Sequence, residues 1–400
     1  MNETAHKKEK QIFINTAYTM GGALLMNGVL QLLIYPLFNR ILGSDTLGNL
    51  LYIMGLVAIL CPSVGQALNT SRLVARREYE VTNGDYNCLL LLFGGVGSAA
   101  ALLLARDSLT TPAAVLLAAV LFLSTCFRYY GDVEYRLNLN YKRYFIYYAV
   151  LTLGYLLGFL LYFLCRSWFV VFLAGELLAL LYLGATGTVF RNFWSRSPYF
   201  SAVFRRGGFL TVSYLITNLT LNMDRLVLKH LIGDLAVTQY YVTSLIGKTM
   251  VLLVAPVNTI LISYLTRKKE RISRRQFLGF TGIGVGVSFL FFLFAQIATP
   301  IFIRLLYGEL YEGVRDLITV VNLSQILGLL SAYLFIVVLT FTEEKWQMIL
   351  QAVHLVILTV LVLTVTGSYG ILGFSVAVLA ANAIRVLAVI GLGLIRLRKA

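Results

Sequence analysis

The apolar segments of this 400-residue chain recur at the length of a bilayer crossing, and no other feature limits its fold as much. A hydrocarbon core about 30 Å thick needs about 20 predominantly apolar residues per α-helix. Segments of that kind fall at approximately residues 11–38, 47–70, 86–105, 112–131, 143–165, 168–190, 207–230, 236–263, 277–303, 313–340, 346–366 and 371–395. Composition agrees: 59% of the residues are hydrophobic and 13% charged, where soluble domains carry about 25% charged residues. The expected fold is an all-α polytopic membrane protein with twelve transmembrane helices.

Cations set the orientation, because Lys and Arg in short loops stay on the cytoplasmic side. They gather at the N-terminus (Lys7, Lys8, Lys10) and in the even-numbered connections. These hold Arg72, Arg76 and Arg77; Arg128, Arg136, Lys142 and Arg143; Arg191, Arg196, Arg205 and Arg206; Arg267, Lys268, Lys269, Arg271, Arg274 and Arg275; and Lys345. Arg396, Arg398 and Lys399 close the chain on the same side, and the other side holds Arg40, Arg106, Arg166, Lys229, Arg304 and Arg315. Both termini are thus expected in the cytoplasm. The net charge of +15 follows from this bias and from contact with anionic membrane lipids. Nucleic-acid binding is not expected, since no soluble domain exists to do it. The first apolar stretch, preceded by "HKKEK", exceeds the roughly 7–15-residue core of a signal peptide and lacks a small-residue cleavage site. It reads as an uncleaved first helix.

Loops narrow the function. "CRSW", between the fifth and sixth helices, and "TGSYG", between the eleventh and twelfth, are too short to fold into a catalytic domain. Cytoplasmic connections such as "RNFWSRSPYFSAVFRRGG" and "TRKKERISRRQ" are basic and poor in carboxylates. A membrane glycosyltransferase or polysaccharide polymerase needs acid–base or metal-binding groups at the lipid surface. Asp132 and Glu134 in "YYGDVEYR" come nearest to that pattern and read more simply as a helix-end mixture of charges. An enzyme is therefore not expected, nor are catalytic residues, metal ligands or cofactors. Cys61, Cys88, Cys126 and Cys165 form no C-x-x-C pair or Cys/His cluster and read as small buried hydrophobes. "GIGVG" (Gly282 to Gly286) and "FGGVGSAA" (Phe93 to Ala100) follow no strand and are assigned to helix packing.

An internal repeat organises the chain. "NRILGSDTLGNLLYI" (Asn39 to Ile53) follows the first helix and "LKHLIGDLAVTQYYV" (Leu228 to Val242) the seventh. Each has a basic residue, an aliphatic–Gly turn, an Asp and a new helix start; Gly43 aligns with Gly233, Leu47 with Val237 and Leu51 with Tyr241. A six-helix period and entry from the same side are the marks of parallel repeats. The expected division is an N-terminal lobe, 1–195, and a C-terminal lobe, 196–400.

On these residues the chain resembles a known family. "NTAYTMGGALLMNGVLQLLIYPLFNRILG" with "DTLGNLLYI", then "NMDRLVLKHLIGDLAVTQYYV", "LYGELYEG" and "GSYGILGFSVAVLAANAIRV", are similar to bacterial polysaccharide and O-antigen flippases of the multidrug/oligosaccharidyl-lipid/polysaccharide (MOP) exporter superfamily. The resemblance spans essentially the whole chain. It implies a MATE-like fold of two six-helix lobes around a central cavity, and a monomer in the bacterial cytoplasmic (inner) membrane. By alternating access it would move an undecaprenyl-diphosphate-linked oligosaccharide, the repeat unit of O-antigen, capsule or exopolysaccharide, from the inner to the outer leaflet. Polysaccharide polymerase and glycosyltransferases would be its partners. The alternative within the superfamily is a multidrug/cation antiporter, and from another class a membrane glycosyltransferase or polymerase.

Spacing marks the candidate site. Thr211, Tyr214, Asn218, Asn222, Arg225 and Lys229 in the seventh helix lie three or four residues apart, on one helical face. A polar stripe against lipid is costly, so this one is expected to face protein or a wet cavity. Tyr241, Ser244 and Lys248 continue the pattern in the eighth helix, and Asn27, Gln31 and Tyr35 in the first. Lys229, at the outer end of its helix, suits snorkelling to the interface, while Asp224 and Arg225 suit either a structural ion pair or a cavity role. Lys248 stands apart. It lies about twelve residues, or roughly 18 Å, into its helix, with no carboxylate three or four residues away. The expected cavity residues are Lys248, Arg225, Asn218, Asn222, Tyr214, Ser244, Tyr241, Asn27, Gln31 and Arg385, with Asp224 and Glu176 as candidate ion-coupling acids. Embedded cations outnumber embedded acids, which suits an anionic diphosphate-sugar better than a cationic drug. His354 reads as a hydrogen-bonded core residue.

Overall fold

The computed structural model describes residues 2–266, 272–342 and 345–396; the basic stretch 267–271 and the C-terminal Arg398 and Lys399 lie outside them. Its principal helices are α1 (Asn2–Val29), α2 (Tyr35–Leu42), α3 (Ser44–Ala75), α4 (Asn83–Leu104), α5 (Pro112–Gly131), α6 (Val133–Leu137) and α7 (Tyr141–Cys165). There follow α8 (Phe169–Thr186), α9 (Phe200–Leu231), α10 (Asp234–Thr266), α11 (Arg274–Leu306), α12 (Tyr311–Val314), α13 (Ile318–Leu339) and α14 (Lys345–Arg396). Nine helices among the described residues are long and apolar enough to cross a membrane, as befits a multi-pass membrane protein. The apolar segments read from the sequence fall on these elements and on α9 and α10, which run for 32 and 33 residues. The last two segments are the halves of α14, interrupted at Gly370, where φ is 60° and ψ −145°.

Large apolar side chains stand outward along these helices, Leu164 at 81% exposure and Phe209 at 77% among them, as a lipid-facing surface requires. The helix α3 is the exception: 78% of its apolar window is buried. The chain divides into two compact units. One comprises Met1–Ile41 with Leu50–Met223, the other Leu42–Asn49 with Asp224–Ala400.

In the first unit α7 packs along α8, and the sequence shows why. A Cβ on Gly154 would lie 2.5 Å from the Cα of Gly175, and one on Gly158 would lie 2.7 Å from the Cα of Val171. This G-x-x-x-G pair lets the backbones approach, the usual way membrane helices gain packing energy. The expected packing motif "GIGVG" works differently: only its middle residue, Gly284, meets a neighbour, Tyr333 of α13, while Gly282 and Gly286 face open space. In "FGGVGSAA", Gly94 and Gly97 make ordinary contacts and Gly95 none. Between α1 and α2 the chain makes a π turn, Leu30–Ile34, with the Tyr35 N–H donating to the Leu30 carbonyl. Pro36 follows directly; its ring has no N–H and would clash in a regular α-helix, and the wider turn accommodates it.

In the second unit the two glycine turns read as repeats meet. Gly43 (φ 81°) and Gly233 (φ 131°) each end one helix and begin another in a conformation that L side chains rarely adopt. The Thr238 hydroxyl donates to the Ser44 carbonyl at 2.7 Å. Gly48 lies so near the Asp234 carbonyl that no Cβ would fit. Elsewhere in this unit α13 packs against α10, α11 and α14, around a core that includes Phe277, Leu334 and Val389.

Candidate functional site

The charged cluster sits on the hairpin of α9 and α10. Where α9 ends, the Lys229 ammonium pairs with both oxygens of Asp234 at 2.5 and 2.6 Å. A cation on the last turn of one helix and an anion on the first turn of the next each complement a helix dipole. Lys229 is thus ion-paired, where snorkelling to the interface was expected, because the tight turn at Gly233 delivers Asp234 to it.

Deeper along the hairpin, Lys248 Nζ donates to Asp224 Oδ2 at 2.7 Å. This corrects the sequence reading, which found no carboxylate for Lys248: its partner is 24 residues away, on the neighbouring helix. The Asp224 side chain is 10% exposed and that of Lys248 30%. The other oxygen of Asp224, Oδ1, is buried without a hydrogen-bond partner among the described residues. The Lys248 ammonium also lies 5.9 Å from the centre of the Tyr240 ring, and Arg225 lies 5.6 Å from that of Tyr241, distances at which aromatic faces attract cations. Gln325 of α13 donates to the Tyr240 hydroxyl at 3.4 Å, and the Ser244 hydroxyl donates to the Tyr241 carbonyl at 3.2 Å. In this cluster Arg225, Lys229 and Lys248 stand with the carboxylates of Asp224 and Asp234, leaving one positive charge.

The remaining members of the stripe belong to the first unit, and much of their hydrogen bonding is spent on protein. The Tyr214 hydroxyl bonds Thr70 of α3 at 3.1 Å, and Asn218 donates to the Ser63 hydroxyl at 3.0 Å. Asn222 donates back to the Asn218 carbonyl and Asn27 to the Ala23 carbonyl, each within its own helix. Gln31 lies half-buried in the π turn. Arg385, in the second half of α14, lies 5.6 Å from the Phe335 ring centre and takes part in no ion pair among the described residues. His354 is buried at 7% exposure.

A second polar centre, which sequence reasoning dispersed, lies inside the first unit. Arg128 Nε donates to Glu176 Oε2 at 2.6 Å with both side chains 3% exposed, and the Tyr155 hydroxyl donates to Glu176 Oε1 at 3.2 Å. The Arg128 guanidinium lies 4.0 Å from the Tyr129 ring centre. Arg128 was grouped with the cytoplasmic loops; instead it points into the helix bundle. Asp132 and Glu134, read as a helix-end mixture, are buried too. Asp132 accepts from Asn69 and from Tyr148 at 3.1 Å and forms an ion pair with Arg136 at 3.3 Å, and Glu134 accepts the Thr188 N–H at 3.0 Å. Beside them a cavity of about 430 Å³ is lined by Arg72, Arg76, Tyr79, Glu80, Glu134, Asn138 and Thr188. The signal for this centre was present in "CFRYYGDVEYR": seven charged or hydroxylated side chains within a segment otherwise able to span.

Neither a protein-family profile nor a curated protein matches the chain. Solved structures do. The lipid II flippase MurJ in an inward closed conformation aligns with TM-score 0.64 and 12% identity over 95% of this chain and 86% of its own. A multidrug resistance MATE family transporter of the MOP superfamily, inward-facing, aligns with TM-score 0.62 and 15% identity over 96% and 94%. MATE in a bent conformation gives 0.58 and 17% over 97% and 95%. The fold is that of these MATE and MurJ structures. The likeness covers 95–97% of the chain, and the neighbours named are transporters and a flippase.

Proposed function

We propose that this MOP-fold protein is a flippase that carries an undecaprenyl-diphosphate-linked oligosaccharide from the inner to the outer leaflet of the bacterial cytoplasmic membrane. The observation that carries the reading is the charged cluster on the hairpin of α9 and α10, in which Arg225, Lys229 and Lys248 outnumber Asp224 and Asp234. A charge within a membrane segment costs about 2.5–3.5 kcal/mol even on the gentler scales, and an excess cation suits an anionic load. A diphosphate is such a load, and Lys meets phosphate as a point charge. The proposed lobes are 1–195 and 196–400, working by alternating access, and glycosyltransferases and a polymerase would stand on either side of the flipping step. Glu176 serves, in this reading, as the counter-ion of Arg128.

A multidrug/cation antiporter is the second reading, favoured by the likeness to MATE transporters. Proteoliposomes separate the two. Purified protein is expected to move a fluorescent polyprenyl-diphosphate sugar across the vesicle membrane and not to drive efflux of a cationic dye. Dye efflux without lipid movement would replace the flippase reading by the antiporter.

Both termini are proposed to be cytoplasmic. Single cysteines at Ser167 and Ser368 should then react with an impermeant maleimide from outside intact cells, and those at Ser195 and Ser273 only after permeabilisation. One residue on the wrong side would remove the proposed topology.

A further inference from the structure

The Asp224–Lys248 pair raises a question that rests on the flippase reading: how a diphosphate reaches an ammonium that already has a partner. Lys248 Nζ has three protons, and Asp224 Oδ2, at 2.7 Å, takes one. A phosphate on the same ammonium would stand within about 5 Å of the carboxylate, where like charges disfavour each other strongly in a poorly solvated site. The two anions therefore exclude one another. Asp224 is nearly buried, with Oδ1 making no hydrogen bond among the described residues, so Lys248 is the main group there that holds it. Lys248, by contrast, keeps 30% of its side chain exposed and is open to a second anion.

We propose that Asp224 is a resident counter-ion that competes with the substrate diphosphate for Lys248, balancing the site when it is empty and displacing the product when the load must leave. Small monovalent anions gain too little from Lys248 to expel the carboxylate. A diphosphate brings more charge and reaches further, to Arg225, whose Nε is buried without a hydrogen-bond partner among the described residues while its guanidinium rests over Tyr241. The competition thus selects for charge as well as for shape, and it makes binding weaker than Lys248 alone would allow. A carboxylate that holds the ammonium nine-tenths of the time lowers the apparent affinity about tenfold. Release becomes faster by the same competition, which a transporter needs as much as capture.

The test uses the full-length protein in detergent with farnesyl diphosphate as probe, measured by calorimetry, alongside thermal melting. Asp224→Asn, and Asp224→Ser as its smaller alternative, are expected to bind the probe about tenfold tighter than wild type, and the folded fraction of Lys248→Gln, reduced in amount because Asp224 loses its cation, to lose binding. In proteoliposomes the Asp224 variants are expected to turn over several-fold more slowly, limited by release. Equal affinity in wild type and in both folded Asp224 variants would overturn the counter-ion role and leave the flippase reading standing, as would weaker binding in those variants. If neither wild type nor any folded variant binds the diphosphate, the flippase reading fails and takes this inference with it. Should both Asp224 variants fail to fold, the exchanged pair Asp224→Lys with Lys248→Asp decides: binding of the probe by that protein at wild-type strength would contradict the proposal, since Asp at position 248 then stands where the ammonium was.

Discussion

Alanine at Lys248 is expected to lower transport about 30-fold or more, since truncating one partner of a largely buried, hydrogen-bonded charge pair costs about 2–5 kcal/mol. The pairing with Asp224 adds a second effect. Lys248→Ala leaves a carboxylate that is 10% exposed without its cation, so the amount of folded protein in the membrane should fall as well. The double variant Lys248→Ala with Asp224→Asn removes that orphaned charge. It is expected to recover abundance without recovering transport, which separates a binding role from a packing one. Lys248→Arg keeps the charge but changes its shape and should retain part of the activity. Surface polysaccharide in a flippase-deficient host, read beside a quantitative immunoblot, measures both effects. Full polysaccharide from Lys248→Ala at ordinary expression would remove Lys248 from the mechanism.

The largest effect on folding is expected at Arg128 and Glu176. The two side chains are 3% exposed and 2.6 Å apart, so removing either alone leaves an uncompensated buried charge, at about 3–5 kcal/mol. That is a large share of the roughly 5–15 kcal/mol that separates folded from unfolded protein. Arg128→Ala and Glu176→Ala should each deplete folded protein and lower the melting temperature in detergent. Replacing both together by Met and Leu is expected to restore most of the loss, because well-packed apolar groups of similar volume serve a buried pair's place at little cost. If Glu176 were instead an ion-coupling acid, Glu176→Gln would fold normally and lose only transport. A double variant no more stable than the single ones would show that the pair is not the unit of stability.

Sequence by itself determined the parts of this protein that depend on neighbours along the chain. Twenty apolar residues make a membrane helix wherever they stand, and the turns at Gly43 and Gly233 were visible because a helix that must reverse over one or two residues needs a positive φ. The polar stripe of α9 was legible for the same reason, since a spacing of three or four residues is a property of one helix. What the tertiary structure alone decided is which faces meet. Lys248 and Asp224 are 24 residues apart, Arg128 and Glu176 48, and no periodicity links them. On α9, Tyr214 and Asn218 of the stripe bond to α3, while Asp224, off the stripe, meets α10. Likewise Gly154 and Gly158 pack tightly and Gly282 and Gly286 do not, although both pairs have the same spacing. The physical reason is common to all three cases: in lipid there is little hydrophobic force to choose a helix's inner face, so the choice falls to contacts with a partner helix that the chain meets only once it has folded.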